Sequence, residues 1–296
     1  MPGNLKEVRE RIRSVQNTQQ ITKAMKMVSA AKLRKAQQAI TQMRPYADKL
    51  NSMLRNIMSN VEGDLSIDLA KERPVEKVCL VVVTSNRGLC GAFNSNVIKA
   101  AMQAINTQYA DVRAKGNLTL LFVGKRGYDY MKKRYQDCTI INEYVNLFAD
   151  LSFENVSEIS GRLMKAFEDK KYDEVTVAYG RFKNAATQFA EAEKFLPVPK
   201  IEQTESNLRA DYIFEPDMEG LLEYLIPNIL HTQFFRFMLD THASEHGARM
   251  TAMDKATENA AELLRDLRLS YNKARQEAIT NEILEIVGGA AALESN

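Results

Sequence analysis

Apolar residues open the chain at Leu5, Val8, Ile12 and Val15, a spacing of three and four that marks one face of a helix. The stripe drops out over the polar patch Asn17 to Gln20 and returns as Ile21, Met25 and Val28. Neither Gly nor Pro occurs from Asn4 to Arg44, and Ala, Lys, Arg, Gln and Met dominate, so one very long helix is predicted there. A second follows at the other end, where the 40 residues from Ala248 to Val287 again lack Gly and Pro. Alternate steps of four and three from Leu239 reach Ala243, His246, Met250, Met253, Thr257, Ala260, Leu264, Leu267, Tyr271, Ala274 and Ala278, a seam of coiled-coil period. Forty helical residues span roughly 60 Å, more than a compact domain of this mass needs. The simplest arrangement pairs the two helices with each other.

Between them the period changes. Lys77–Thr84 and Leu118–Val123 are apolar, β-branched runs, and Glu174–Phe182 reads as a third strand. Helical patterns over Ser95–Tyr109, Tyr128–Arg134 and Ser152–Asp169 alternate with them, which predicts a small α/β domain with a mainly parallel sheet. The expected organisation is an N-terminal shaft helix over 1–60, a Rossmann-like α/β domain over 75–210, and a C-terminal shaft helix over 211–296 paired antiparallel with the first.

Composition narrows the class. The chain has 296 residues and 45% hydrophobic content, ample for a packed core, and its longest apolar run, Val78–Val83, is far short of the roughly 20 residues of a membrane-spanning helix. Charges begin at Lys6 with no apolar core of a signal peptide, which predicts a cytoplasmic protein. Cys79, Cys90 and Cys138 are an odd, unpaired set and read as buried reduced thiols. Net charge is only +2, yet the first 55 residues carry twelve Lys or Arg against three acidic residues. That basic stretch fits a solvated helix face, a nucleic-acid stripe or a surface for acidic protein loops. Aromatic residues that would stack on bases are absent between Met1 and Arg44, which counts against single-strand binding.

Candidate chemistry is sparse. TSNRGLCGAFN, Thr84–Asn94, lies where a strand gives way to a helix, but its glycines, Gly88 and Gly91, fit neither a P-loop nor a dinucleotide fingerprint, and a structural turn is the preferred reading. VGKRG, Val123–Gly127, has Gly-Lys without the upstream glycine. His242 and His246 share a helical face at i, i+4 with Glu245 between them, but no HExxH pattern accompanies them, so packing or solvent exposure is preferred to zinc. Two other readings stay open at this point: a Rossmann-like enzyme, and a coiled-coil protein that binds nucleic acid or scaffolds other proteins.

Longer motifs carry a resemblance. VRERIRSVQNTQQITKAMKMVSAAKLRKAQ at the N-terminus resembles the opening helix of the gamma subunits of F-type ATP synthases, and ITNEILEIVGGAAA, Ile279–Ala292, is similar to that family's C-terminal signature. TSNRGLCGAFN resembles its strand-to-loop segment, and YIFEPD, Tyr212–Asp217, the segment before its last helix. The thiol-bearing insert of plastid members has no counterpart, and a mitochondrial targeting segment is missing, which points to a bacterial source.

The resemblance implies a non-catalytic central-stalk rotor with no cofactor and no metal. Its partners would be three alpha and three beta subunits to one copy of this chain, an epsilon subunit and a ring of c subunits. It implies no nucleic-acid partner and membrane association only through the c ring, at the cytoplasmic face of the bacterial inner membrane. By the same resemblance Met25, Arg249, Arg275, Gln276 and Thr280 would meet loops of the beta subunits, and Tyr212 and Glu215 the c ring or epsilon.

Overall fold

The computed structural model describes residues 2–59, 68–198 and 218–294. Helix α1 runs Pro2–Ser59 and helix α6 Met218–Glu294. Between them lie β1 (Val78–Val83), α2 (Phe93–Thr107), the short α3 (Ala110–Ala114), β2 (Leu118–Val123), α4 (Lys125–Met131), β3 (Thr139–Ile141), α5 (Phe153–Glu168), β4 (Glu174–Phe182) and β5 (Gln188–Leu196). Chain contacts divide into two compact units, Met1–Ser29 with Met250–Asn296, and Ala30–Arg249.

The larger unit is built on a five-stranded sheet of order β3-β2-β1-β4-β5. The first four strands are mutually parallel and β5 returns antiparallel to β4. β1 and β2 are fully buried at every position, because helices cover both faces and alternation is not needed. Cys79, Val81 and Val83 face one layer, where Ile159, Leu163 and Phe167 of α5 meet Leu222, Leu225, Leu230, Phe234 and Phe237 of α6, with Leu50 of α1 joining. Val78, Leu80 and Val82 face the other, with Ile98, Ala101 and Ile105 of α2 and Met131. Ser152 caps α5 by accepting from the Asn155 N–H at 3.3 Å.

Two predicted elements extend further than their composition suggests, and the strands β3 and β5 and the short α3 were not foreseen. α1 continues through Pro45 and α6 through Pro227. An interior proline costs about 3 kcal/mol, but Leu222, Leu225, Ile226 and Leu230 around Pro227 are all buried, and that burial offsets it. β5 carries Glu191, Glu193 and Lys194 in a sequence of weak strand propensity, and β3 is only three residues long; both owe their existence to an available neighbouring strand edge.

In the smaller unit α1 and α6 pair antiparallel: Arg9 Nη2 donates to Tyr271 Oη at 2.9 Å, Thr257 Oγ1 to Thr22 Oγ1 at 2.8 Å, and Lys26 pairs with Asp254. All twelve positions of the seam from Leu239 to Ala278 are buried or half-buried. The α1 side departs from expectation. Its seam passes through Gln19, Thr22 and Ser29, while Ile21 and Val28 are 59% and 57% exposed. Small polar side chains serve at the seam because Thr22 satisfies its hydroxyl on the Gln19 carbonyl and on Thr257, so burial carries little penalty.

Candidate functional site

The strand order places β2 on one side of β1 and β4 on the other, so the carboxyl ends of β1 and β4 frame the crevice where open α/β sheets bind ligands. In this chain protein atoms fill it. The Gly180 N–H donates to Thr241 Oγ1 at 3.3 Å and the Gly180 carbonyl accepts from Ser244 Oγ at 3.0 Å, so α6 lies directly on the end of β4. A Cβ at Gly180 would stand 2.5 Å from the Phe93 ring, so only glycine leaves room for that aromatic. The Thr84–Asn94 loop spends its polar groups internally: the Ser85 N–H donates to Asn94 Oδ1 at 3.0 Å, Asn94 Nδ2 reaches Cys90 Sγ at 3.1 Å, and Ser85 Oγ donates to the Arg87 carbonyl at 2.6 Å. This is the structural turn preferred from sequence. Burial pushes the Cys90 thiol up and the Cys79 thiol up to about 12, as expected of inert core cysteines.

Arg249 was expected at a partner surface; it is buried instead, 7% exposed, with every donor engaged inside the chain. Nη1 pairs with Glu245 Oε1 at 2.7 Å and donates to His246 Nδ1 at 3.3 Å. Nη2 donates to the carbonyls of Arg87 and Gly88 at 3.1 and 3.2 Å, and Nε to Gly88 at 3.4 Å. Those bonds account for the five N–H groups of a guanidinium.

The same geometry decides the histidine pair. A guanidinium can only donate, so His246 Nδ1 accepts and the neutral ring carries its proton on Nε2. That proton points at His242 Nε2, 3.2 Å away, which leaves the His242 proton on Nδ1. A metal bridging the two Nε2 atoms would need a lone pair where His246 holds a proton, so the i, i+4 pair forms a hydrogen-bond chain rather than a chelate. Burial first, then the neighbouring Lys32 and Arg249, hold His242 down to about 4, and burial, His242 and Arg249 hold His246 down to about 3. Both imidazoles are neutral at pH 7.

The remaining expected contact residues lie in the helix pair. Met25 is half-buried, while Arg275, Gln276 and Thr280 are exposed on α6, Thr280 Oγ1 donating to the Gln276 carbonyl at 2.9 Å. Tyr212 and Glu215 lie outside the described residues. Beyond Ala278, the last seam position, every α6 residue from Ile279 to Ala290 is exposed, including Ile279, Ile283, Leu284, Ile286 and Val287. Pairings of Arg9 with Tyr271 and Thr22 with Thr257 set the register that brings Pro2 opposite this point, so α6 outruns α1. Added Cβ atoms at Gly288 and Gly289 would meet nothing within 4 Å. Among the described residues no helix is long and apolar enough to cross a membrane.

A five-stranded, mainly parallel sheet with helices on both faces, together with long N- and C-terminal helices that pair antiparallel, defines a mixed α/β class of protein. Residues 4–293 match the family described as ATP synthase. The chain is 53% identical over 291 residues to the ATP synthase gamma chain of Christiangramia forsetii, covering 98% of this chain and 99% of that one, and 50% identical over 298 residues to that of Cytophaga hutchinsonii, covering all of both. It therefore belongs to the ATP synthase gamma chain family. Its fold matches a chain in the cryo-EM structure of the Euglena gracilis mitochondrial ATP synthase (OSCP/F1/c-ring, rotational state 3) with a TM-score of 0.67 at 24% identity, covering 100% of this chain and 96% of that one.

Proposed function

We propose that this chain is the non-catalytic central-stalk rotor of an F-type ATP synthase. It couples proton-driven rotation of a membrane c ring to ATP synthesis and hydrolysis in a head of three alpha and three beta subunits. The observation that carries this reading is the end of α6, where five large aliphatic side chains stand exposed over about three turns with no partner helix among the described residues. Such a surface is stable in water only when another protein covers it, and a smooth apolar sleeve with few directional bonds suits a helix that turns inside it. An asymmetric pair of helices in a three-fold ring meets each beta subunit with a different face, and a ligand equilibrium follows only from differential contact of that kind. Attachment is peripheral, through epsilon and the c ring at the cytoplasmic face of the inner membrane, with Tyr212 and Glu215 on that side.

Mixing the chain with purified alpha and beta subunits tests the reading. A complex of three alpha, three beta and one copy of this chain is expected, with turnover that falls when residues from 279 onward are removed. Failure of the intact chain to form any complex would overturn it.

Within the complex, Arg275, Gln276 and Thr280 engage acidic loops of beta on this reading, with Met25 close to the same loops; their exposure on α6 supports it for the first three. Each charge-assisted hydrogen bond contributes about 1.5–3 kcal/mol. Arg275→Ala with Gln276→Ala is therefore expected to slow ATP turnover roughly 10- to 100-fold while the chain folds normally, since both side chains are exposed. Unchanged turnover would remove these residues from the contact set.

A further inference from the structure

The loop that Arg249 holds has an unusual backbone. Leu89 adopts φ +61°, the left-handed region that leucine rarely occupies, and its side chain is 66% exposed, so no packing of that side chain compensates the strain. The two peptides just before it end in the carbonyls of Arg87 and Gly88, and these are the groups that receive three bonds from the Arg249 fork. On the other side the Arg126 guanidinium lies against Gly88, where a Cβ would stand 2.8 Å from its Nη2. Glu245 and His246, four and three residues back and each about one turn away along α6, orient the fork. Arg87 itself is exposed, so the loop offers a cation and an aliphatic side chain in a fixed backbone frame.

We infer that Arg249 is a positioning residue: its guanidinium fixes the Arg87 and Gly88 carbonyls, forces Leu89 into left-handed backbone, and so sets the shape of the Asn86–Gly91 loop, whose Arg87 and Leu89 are exposed. Its influence on a complex passes through that loop, because no N–H of Arg249 is left to reach a partner. The consequence for ATP turnover rests on the rotor reading above; the state of the loop does not.

Trypsin supplies a direct readout on the full-length chain, since the bond after Arg87 is the one whose carbonyl Arg249 holds. Cleavage there is compared with cleavage after Lys194, which lies in β5 and requires the sheet to open. Arg249→Gln is expected to raise the ratio roughly tenfold or more, matching release of one strained left-handed residue. Arg249→Lys, which keeps the charge and loses the fork, should do the same. Leu89→Gly in the Arg249→Gln background should bring the ratio back toward the parent value, because glycine occupies that conformation without strain. Glu245→Gln loses the ion pair but not the fork, and should lower overall stability with little change in the ratio. An unchanged ratio in Arg249→Gln, or an equal rise in Glu245→Gln, overturns the inference. Loss of turnover by Arg249→Gln with the loop still closed also overturns it. Failure of the rotor reading would appear separately, as no complex with the parent chain.

Discussion

Gly124→Ala is expected to leave little folded protein. Gly124 follows β2 and precedes α4 with φ +95°, and a Cβ there would lie 1.8 Å from the Thr84 carbonyl oxygen and 2.5 Å from its carbon. Neither can move. Thr84 is fully buried, its N–H donates to the Val123 carbonyl at 2.8 Å, and its hydroxyl accepts from the Gly127 N–H at 2.8 Å and donates to the Gly124 carbonyl at 3.3 Å. The Gly124 N–H is itself committed to the Val145 carbonyl at 3.1 Å. Backbone strain and a clash with immobile main chain together place the cost at about 4 kcal/mol or more, against a total stability of roughly 5–15 kcal/mol for a domain. Gly116→Ala is the control. Its φ is +74°, but nothing lies within 4 Å of the added carbon, so only the conformational cost of about 1–2 kcal/mol applies. Urea denaturation of both variants checks this; a Gly124→Ala midpoint equal to that of Gly116→Ala would refute the close-approach argument.

The second large effect is a dependence on acid that belongs to His242 and His246. Both fold with pKa values lowered below the usual imidazole range, to about 4 and about 3. The unfolded chain titrates them near 6.5, so below that pH it binds protons that the folded chain refuses, and stability falls as pH drops toward the folded values. At pH 5 each ring contributes about 2 kcal/mol of lost stability, about 4 kcal/mol for the pair. Protonation inside the fold would place new cations beside Arg249 on α6 and near Lys32 and Lys35 of α1. Asp240, which burial raises to about 6, and Glu245, also raised, shift stability the other way, so the histidine contribution is read as a difference between proteins. The variant His242→Gln with His246→Gln is expected to gain about 4 kcal/mol on the parent between pH 7.5 and pH 5, measured by urea unfolding at each pH. Parallel pH profiles for the two proteins would show that the rings titrate normally.

Much of the architecture was legible before any coordinates. The seam from Leu239 to Ala278 was read residue by residue and every position is shielded, because a 3-4 repeat can face only one neighbour. The runs VCLVVV and LTLLFV became central strands because apolar β-branched stretches of that length, bounded by turn residues, are stable only when covered on both faces. Reading α1 the same way failed at Ile21 and Val28. The register there is set by α6: Gln19, Thr22 and Ser29 line the seam, and Thr22 is admitted by Thr257, a hydrogen-bond partner that the local sequence does not reveal. β5 escaped notice for a similar reason: QFAEAEKFL has little strand preference, and its place follows from the open edge of β4.

The residues expected to meet partners divide along the same line. Arg275, Gln276 and Thr280, which the family resemblance singled out, are exposed. Arg249 was not readable, because its fate depends on a loop 161 residues earlier folding back under it.

By itself, the sequence determined the period of each segment, and with it the two long helices, the parallel strands between them and the terminal motifs that carry the family resemblance. Those are local properties, fixed by which side chains recur at which spacing. Only the tertiary structure decided which polar groups would be buried. That choice depends on partners far away in the chain: it buried Arg249 against the Arg87 and Gly88 carbonyls, joined His242 to His246 by a hydrogen bond, and seated α6 on the end of β4.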